Sequence, residues 1–180
     1  MLEKGLVQLY TGNGKGKTTA AFGQALRAAG AGNKVIIYQF LKPPTLDLAE
    51  RKALAKCNLP ITIHPLELPW DMAKSFKDAQ LMNLTSEKIH EICQQAAEAA
   101  AKRLWDVFIF DELAYCHAKG LAKLEDIKHV IDSRDERVEI ILTGQDAKPE
   151  LMELADYVVE MKSRKHPFEK GIYARKGIEY

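Results

Sequence analysis

Nine consecutive residues, Thr11-Gly-Asn-Gly-Lys-Gly-Lys-Thr-Thr19, have the types and spacing that hold a chain of phosphates. Glycines at 12, 14 and 16 let backbone N–H groups turn inward with no Cβ in the way. Such N–H groups, backed by a helix N-terminus, make a concave anion site. Lys17 would place its ammonium on the phosphates, facing solvent in a cleft, and Thr18 would offer its hydroxyl to Mg²⁺. The general pattern is G-x-x-x-x-G-K-[ST]; here Thr11 stands in its first position, while Gly16-Lys17-Thr18 fits. The competing reading is a flexible strand–helix turn that happens to carry lysines. An apolar run before the loop and a helical pattern after it favour phosphate binding. The nucleotide-binding set is then Gly12, Asn13, Gly14, Lys15, Gly16, Lys17, Thr18 and Thr19.

A nucleotide held this way needs a carboxylate at the end of a neighbouring strand, for Mg²⁺ or its water shell. Val107-Phe-Ile-Phe-Asp111-Glu112 has that form. Asp111 is expected to share the metal with Thr18. Glu112 either polarises a water or supports the site. Taken alone, the pair reads equally as acidic residues suited to a helix dipole; the phosphate loop tips the balance toward the metal.

The elements that must position these groups alternate in type. Leu6–Tyr10 is a short apolar run, read as a buried strand. A helix from Lys17 to Ala29, closed by Gly30 and Gly32, follows the loop. Lys34–Phe40 is a second, β-branched strand, and Pro43-Pro44 breaks the chain. A short helix is expected over Leu46–Lys56 and a strand over Ile61–His64. Thr85 to Leu104 has the plainest helical period, with Ile89, Ile92, Cys93, Ala96, Ala100 and Leu104 on one face and Thr85 or Ser86 as cap. Its alanine-rich face suits close internal packing. Strands at Asp106–Asp111, Val138–Thr143 and Tyr157–Glu160 alternate with helices around Leu124–Ile131 and over Pro149–Ala155. The pattern predicts an α/β fold of the P-loop, RecA-like kind, a mostly parallel sheet with helices on both faces. One domain spanning 1–180 is expected, with no internal linker.

Composition narrows the partners. With 26 basic and 25 acidic residues the formal net charge is +1, which gives no global pull toward nucleic acid or a membrane surface. No apolar window reaches the length of a membrane span, and the first residues do not read as a signal peptide. The three cysteines, Cys57, Cys93 and Cys116, form no framework or CxxC pair. A reducing, cytoplasmic setting follows as the expectation.

The chain resembles the P-loop ATP:corrinoid adenosyltransferases, which complete the coenzyme form of vitamin B12. The resemblance rests on Gly12–Thr19, Gln39-Phe-Leu-Lys42, Asp111-Glu-Leu113, Leu142-Thr-Gly144, Pro149-Glu-Leu and Ala155-Asp156. Its most distinctive part is the tail: Glu160-Met, Lys165-His-Pro-Phe168, Gly171-Ile and Lys176-Gly-Ile-Glu-Tyr180. It implies that Co(I) of a reduced corrinoid such as cobalamin attacks the 5′ carbon of ATP and expels triphosphate. Backbone dipoles, Lys15, Lys17 and Mg²⁺ would stabilise that leaving group, and no general base is needed. The catalytic set becomes Lys17, Thr18 and Glu112, and Lys165 joins the nucleotide-binding residues. A reductase delivering Co(I) and a homodimeric state are further implications.

Two stretches depart from the family pattern. Lys42–Glu50 replaces a glycine-rich, tryptophan-containing segment, and Leu68-Pro69-Trp70 stands where Gly-Phe-Thr-Trp is usual. Trp70 either lines the corrinoid pocket or anchors a loop on the core. The five histidines lack metal-ligand spacing, although His117, six residues after Asp111, either faces the cleft or packs inside. Between Lys162 and Tyr180 lie six basic and two acidic residues with three aromatics. That tail borders the nucleotide on the favoured reading; nucleic-acid binding and a solvated edge strand are the others. A RecA-like ATPase or kinase with another substrate, or a nucleotide-dependent binding module, remains the alternative function.

Overall fold

The computed structural model describes residues 2–179. These form strands β1 (Val7–Thr11), β2 (Val35–Gln39), β3 (Ile61–Pro65), β4 (Val107–Asp111), β5 (Glu139–Thr143) and β6 (Tyr157–Glu160). The helices are α1 (Lys17–Gly30), α2 (Ala49–Leu54), α3 (Ala79–Ala101), α4 (Leu113–Ala118), α5 (Leu124–Ser133) and α6 (Pro149–Met152). One sheet runs in the order β3-β2-β4-β5-β1-β6, and every pairing in it is parallel, where a mostly parallel sheet was expected.

Successive side chains on the central strands point to opposite faces, so two apolar layers form. Leu9, Ile36, Phe108, Phe110, Ile140 and Leu142 pack on one face with Ile89, Cys93, Ala96 and Ala100 of α3 and Ile127 and Val130 of α5. Val35, Ile37, Val107, Ile109 and Ile141 pack on the other with Ala21, Phe22 and Ala25 of α1. Burial on both faces is why these strands read as nearly unbroken β-branched and aromatic runs.

Parallel strands end at a common edge, and the register is what assembles the site there. Gln39 at the end of β2 pairs with Asp111 at the end of β4. Tyr10 pairs with Thr143, and Thr11 with Glu160. Crevices at the carboxyl ends of such strands are where α/β sheets take ligands.

Several boundaries differ from expectation. α3 starts at Ala79, because the Asp78 side chain accepts the Leu81 N–H at 3.0 Å and caps it there. Thr85 is therefore interior, its hydroxyl turned back to the Leu81 carbonyl at 2.7 Å. The helix ends before Leu104, which is 55% exposed, since Arg103 takes a left-handed φ of 48°. α2 and α6 are shorter than Leu46–Lys56 and Pro149–Ala155. α4 was not foreseen.

The junction of β5 and α4 is tight. Gly144 has φ 155°, and a Cβ there would stand 2.2 Å from the Tyr115 nitrogen. Gly144→Ala should therefore cost at least about 2 kcal/mol of stability. Gly23, exposed on α1 with open space around it, should instead gain about 0.5–1 kcal/mol on conversion to Ala. Chemical denaturation of the two variants checks the contrast; equal effects would contradict the packing described.

Candidate functional site

β1 delivers the chain to the phosphate loop and α1 carries it away. Thr11, in the place of the pattern's first glycine, is 2% exposed and its hydroxyl accepts the Ala147 N–H at 3.2 Å. The side chain thus ties the loop to the segment after β5. Gly12 has φ 92°, and a Cβ on it would lie 2.4 Å from the Met161 carbonyl oxygen. The chain leaving β6 therefore lies against the loop: Gly14 N–H donates to Met161 O at 2.7 Å, and Ser163 N–H to Asn13 Oδ1 at 3.1 Å. The Gly14 N–H is accordingly spent on the protein, contrary to the expectation that it turns inward to phosphate. Gly16, in left-handed conformation, opens α1 with no side-chain cap, which suits an anion at that terminus.

Lys17 departs from its expected solvent-facing position. It is 7% exposed, and Nζ donates to the carbonyls of Gly12 at 2.7 Å and Gly14 at 2.8 Å. Burial pushes its pKa down, against the pull of Glu112. Its ammonium ties two carbonyls of the loop together.

Asp111 is fully buried and receives four donors. Thr18 Oγ1 and Thr143 Oγ1 donate to Oδ1 at 2.8 and 2.9 Å. Gln39 Nε2 and Lys42 Nζ donate to Oδ2 at 3.1 and 2.7 Å. Burial alone would raise its pKa; the Lys42 charge and the bonds from Lys42, Gln39 and Thr18 together outweigh that and hold it below the usual value. Glu112 follows with φ 71°, its N–H held by Thr143 Oγ1 at 3.0 Å. Burial raises the Glu112 pKa, with Lys42 opposing and Asp111 adding to it.

Sequence reasoning assigned no role to Lys42, Gln39, Arg51 or Thr143. Arg51 of α2 donates to Gln39 Oε1 at 2.6 Å, to the Pro43 carbonyl at 2.8 Å and to the Lys42 carbonyl at 2.6 Å. It builds the Pro43-Pro44 segment, one of the two departures from the family pattern, into a fixed support. A polar Gln39 closing an otherwise apolar strand was the readable signal, since it must find partners when buried.

The residues Asn13 to Thr19 line a cleft of about 350 Å³ together with Lys42, Glu112, Gln145, His166 and Glu179. Beside it, Leu41, Leu46, Met72 and Tyr115 line an apolar cavity of about 240 Å³ that shares Lys42, Glu112 and Gln145 with the cleft. Lys165 does not line the phosphate cleft itself; it lines an adjoining cavity of about 640 Å³ that shares Gly14, Lys15, His166 and Glu179 with the cleft and is walled by the tail residues Phe168, Tyr173 and Arg175. Trp70 sits one step back from the apolar cavity. Its Nε1 donates to Met72 Sδ at 3.3 Å and its ring meets Phe76 edge-on at 5.0 Å. Phe76 in turn meets Tyr115 at 6.0 Å. His117 packs inside, its Nδ1 3.0 Å from the Ala122 carbonyl. Among the described residues no three His, Cys, Asp or Glu side chains gather as a metal cluster.

The depressed Asp111 carboxyl makes a pH prediction. Its stabilising contribution is present above its ordinary value of 3.8 and is lost as the pH falls below that, through its lower folded value. Urea midpoints measured from neutral to acid pH should fall for the wild type. They should fall less steeply, by about one proton's worth, for Asp111→Asn. Parallel curves would contradict the assignment.

Comparison with known proteins adds family to geometry. The fold is like that of a KaiC-like protein from the hyperthermophilic archaeon Pyrococcus horikoshii OT3, with TM-score 0.53 and 16% identity over 88% of this chain and 72% of that one. The corrinoid adenosyltransferase of Escherichia coli K12 is 35% identical across 99% of this chain and 87% of its own length. The corrinoid adenosyltransferase CobA of Salmonella typhimurium LT2 is 33% identical over the same shares, and the Pseudomonas aeruginosa enzyme 30% over 99% and 85%. The family model described as ATP:corrinoid adenosyltransferase BtuR/CobO/CobP matches residues 3–180. With the phosphate loop, the buried Asp111 and the tail all falling inside that match, this chain belongs to the ATP:corrinoid adenosyltransferase family.

Proposed function

We propose that this protein transfers the 5′-deoxyadenosyl group of ATP to Co(I) of a corrinoid and releases triphosphate. The observation that carries the reading is the pair of adjoining cavities, one ringed by the phosphate loop and one apolar, meeting at Lys42, Glu112 and Gln145. Two substrates of opposite character can meet there. A cobalt electron pair forms the Co–C bond, the C5′–O bond breaks, and its electrons leave on triphosphate while cobalt goes from Co(I) to Co(III). The nucleophile carries no proton, so the site needs no general base. Its task is to hold and neutralise the leaving group, which suits Lys15, Lys17 and the α1 terminus.

Thr18 and Asp111 offer the hard oxygens that Mg²⁺ prefers, and a site this small in protein ligands would draw the rest of its shell from water and the triphosphate. When bound, Mg²⁺ would offset the charge gathering on that group. Glu112 supports this pair from the cleft wall. Lys165, beside Gly14 and Lys15, borders the nucleotide from the tail side. Met72 and Tyr115 are the apolar wall nearest the corrinoid, with Trp70 supporting Met72 from behind. The reading extends to a reductase that supplies Co(I), a homodimer and a cytoplasmic setting. The edge strand β6 exposes Tyr157, Val158 and Val159, surface that association would cover; no helix among the described residues is long and apolar enough to cross a membrane.

Incubating the protein with Mg-ATP and chemically reduced cobalamin without oxygen should yield adenosylated corrinoid and triphosphate. ADP or orthophosphate with no adenosylated product would indicate an ATPase or kinase instead. Lys17→Ala should lower kcat/KM by about 100-fold or more. Because Lys17 also closes the loop, the same change should cost roughly 1–3 kcal/mol of stability with the fold retained by circular dichroism. Full activity in that variant would remove the phosphate-loop assignment.

A further inference from the structure

Lys42 occupies an unusual position for a lysine beside a nucleotide cleft. Its Nζ lies 2.9 Å from Thr18 Oγ1, 2.7 Å from Asp111 Oδ2 and 3.6 Å from Glu112 Oε1. Thr18 and Asp111 are the residues to which the proposed function gives Mg²⁺. The ammonium therefore sits among the donors of the metal. It also competes for what the metal would use: the Thr18 hydroxyl gives its proton to Asp111 at 2.8 Å and accepts from Lys42 with one of its two lone pairs.

The placement is built. Arg51 fixes the Lys42 and Pro43 carbonyls, Leu41 holds a left-handed φ of 56°, and Phe40 N–H donates to the Asp111 carbonyl at 3.0 Å. Only 18% of the Lys42 side chain is exposed. The electrostatic reason is plain: Asp111 is fully buried and Glu112 largely so, and two adjacent carboxylates withdrawn from water are strongly disfavoured without a cation. The ammonium already occupies one side of the Thr18–Asp111 pair, and a second cation drawn to the same oxygens would be repelled at close range, so Lys42 and a metal compete for that pair. Lys42 has somewhere to go, because it lines the phosphate cleft, the apolar cavity and a third cavity formed with Phe22, Leu48 and Ile178.

We propose that Lys42 is a built-in cation that fills the divalent-metal position while nucleotide is absent and is displaced when metal and nucleotide seat together. The inference rests on the assignment of Mg²⁺ to Thr18 and Asp111. It makes metal entry depend on the triphosphate, whose oxygens complete the shell of the ion and give the displaced ammonium a new counter-charge. The competing account is a permanent ion pair that stays in place beside the metal.

The test uses the whole protein without nucleotide and Mn²⁺ as the probe, followed by electron paramagnetic resonance, with melting in EDTA and in Mg²⁺ alongside. Wild type should take up little Mn²⁺. Lys42→Met, which opens the position but leaves the carboxylates, should bind it about tenfold or more tightly. Its Tm should fall in EDTA and recover in Mg²⁺, whereas wild type should respond little. Lys42→Arg, which keeps the charge, should stay refractory to Mn²⁺. Should Lys42→Met fold only with Mg²⁺ present, that too is the expected result; failure to fold in both, or equal Mn²⁺ uptake by wild type and Lys42→Met, overturns the proposal. ATP binding by wild type with and without Mg²⁺ separates the two levels of the argument. If ATP binding needs Mg²⁺ but Lys42→Met gains no metal affinity or metal-dependent stability, only the Lys42 proposal fails. If neither protein binds metal and ATP binding ignores it, the metal assignment fails as well.

Discussion

The carboxylate of Asp111 has no access to water, and the site is arranged around satisfying it. Thr18 comes from the first turn of α1, Thr143 from the end of β5, Gln39 from the end of β2 and Lys42 from the segment just beyond. Four donors from three segments thus converge on one anion. A buried charge is tolerated only when its hydrogen-bonding capacity is filled and a counter-charge lies close. Meeting that requirement sets the relative positions of the phosphate loop, the β5–α4 junction and the Pro43-Pro44 segment. Arg51 extends the network outward by clamping Gln39 and the backbone of Lys42 and Pro43.

The parallel sheet makes this convergence possible. Strand ends in a parallel sheet fall on one edge, so Gln39, Asp111 and Thr143 arrive together without long loops. The same edge leaves Glu112 in a left-handed conformation, pinned by Thr143, with its side chain on the cleft. Two kinds of surface then meet at Lys42, Glu112 and Gln145, one basic and polar around the phosphate loop, one apolar around Leu41, Met72 and Tyr115. For a reaction in which a bulky, reduced metal complex attacks carbon and a polyanion departs, that division is the chemically useful one.

The sequence disclosed the parts whose physics is local. β1, β2, β4 and β5 were legible because burial on both faces forces continuous apolar runs, and the phosphate loop because glycine spacing and a following Lys-Thr leave few other uses. The start of α3 was not legible: Ala79-Gln-Leu-Met-Asn83 shows no clear apolar face, and Asp78 caps the helix ahead of the more conspicuous Thr85. α4 is hidden for a different reason, since it is six residues long and its entry is set by Thr143 and by the close approach of Gly144 to Tyr115. Lys42 and Gln39 stood within a recognised stretch, yet their meeting with Asp111 follows from strand register. Lys17 was expected to face solvent because its role as a phosphate ligand was clear; its second role, bonding Gly12 and Gly14, depends on a loop shape that Met161 imposes from near the other end of the chain.

The central claim is that the cradled triphosphate leaves from carbon, its oxygens untouched. Running the reaction in water enriched with heavy oxygen and weighing the released triphosphate by mass spectrometry tests it most directly. Attack by cobalt on the 5′ carbon predicts triphosphate that carries every oxygen of the parent ATP chain and no solvent label, matched mole for mole by adenosylated corrinoid. Solvent oxygen in the released phosphate would show bond breaking at phosphorus and contradict the account.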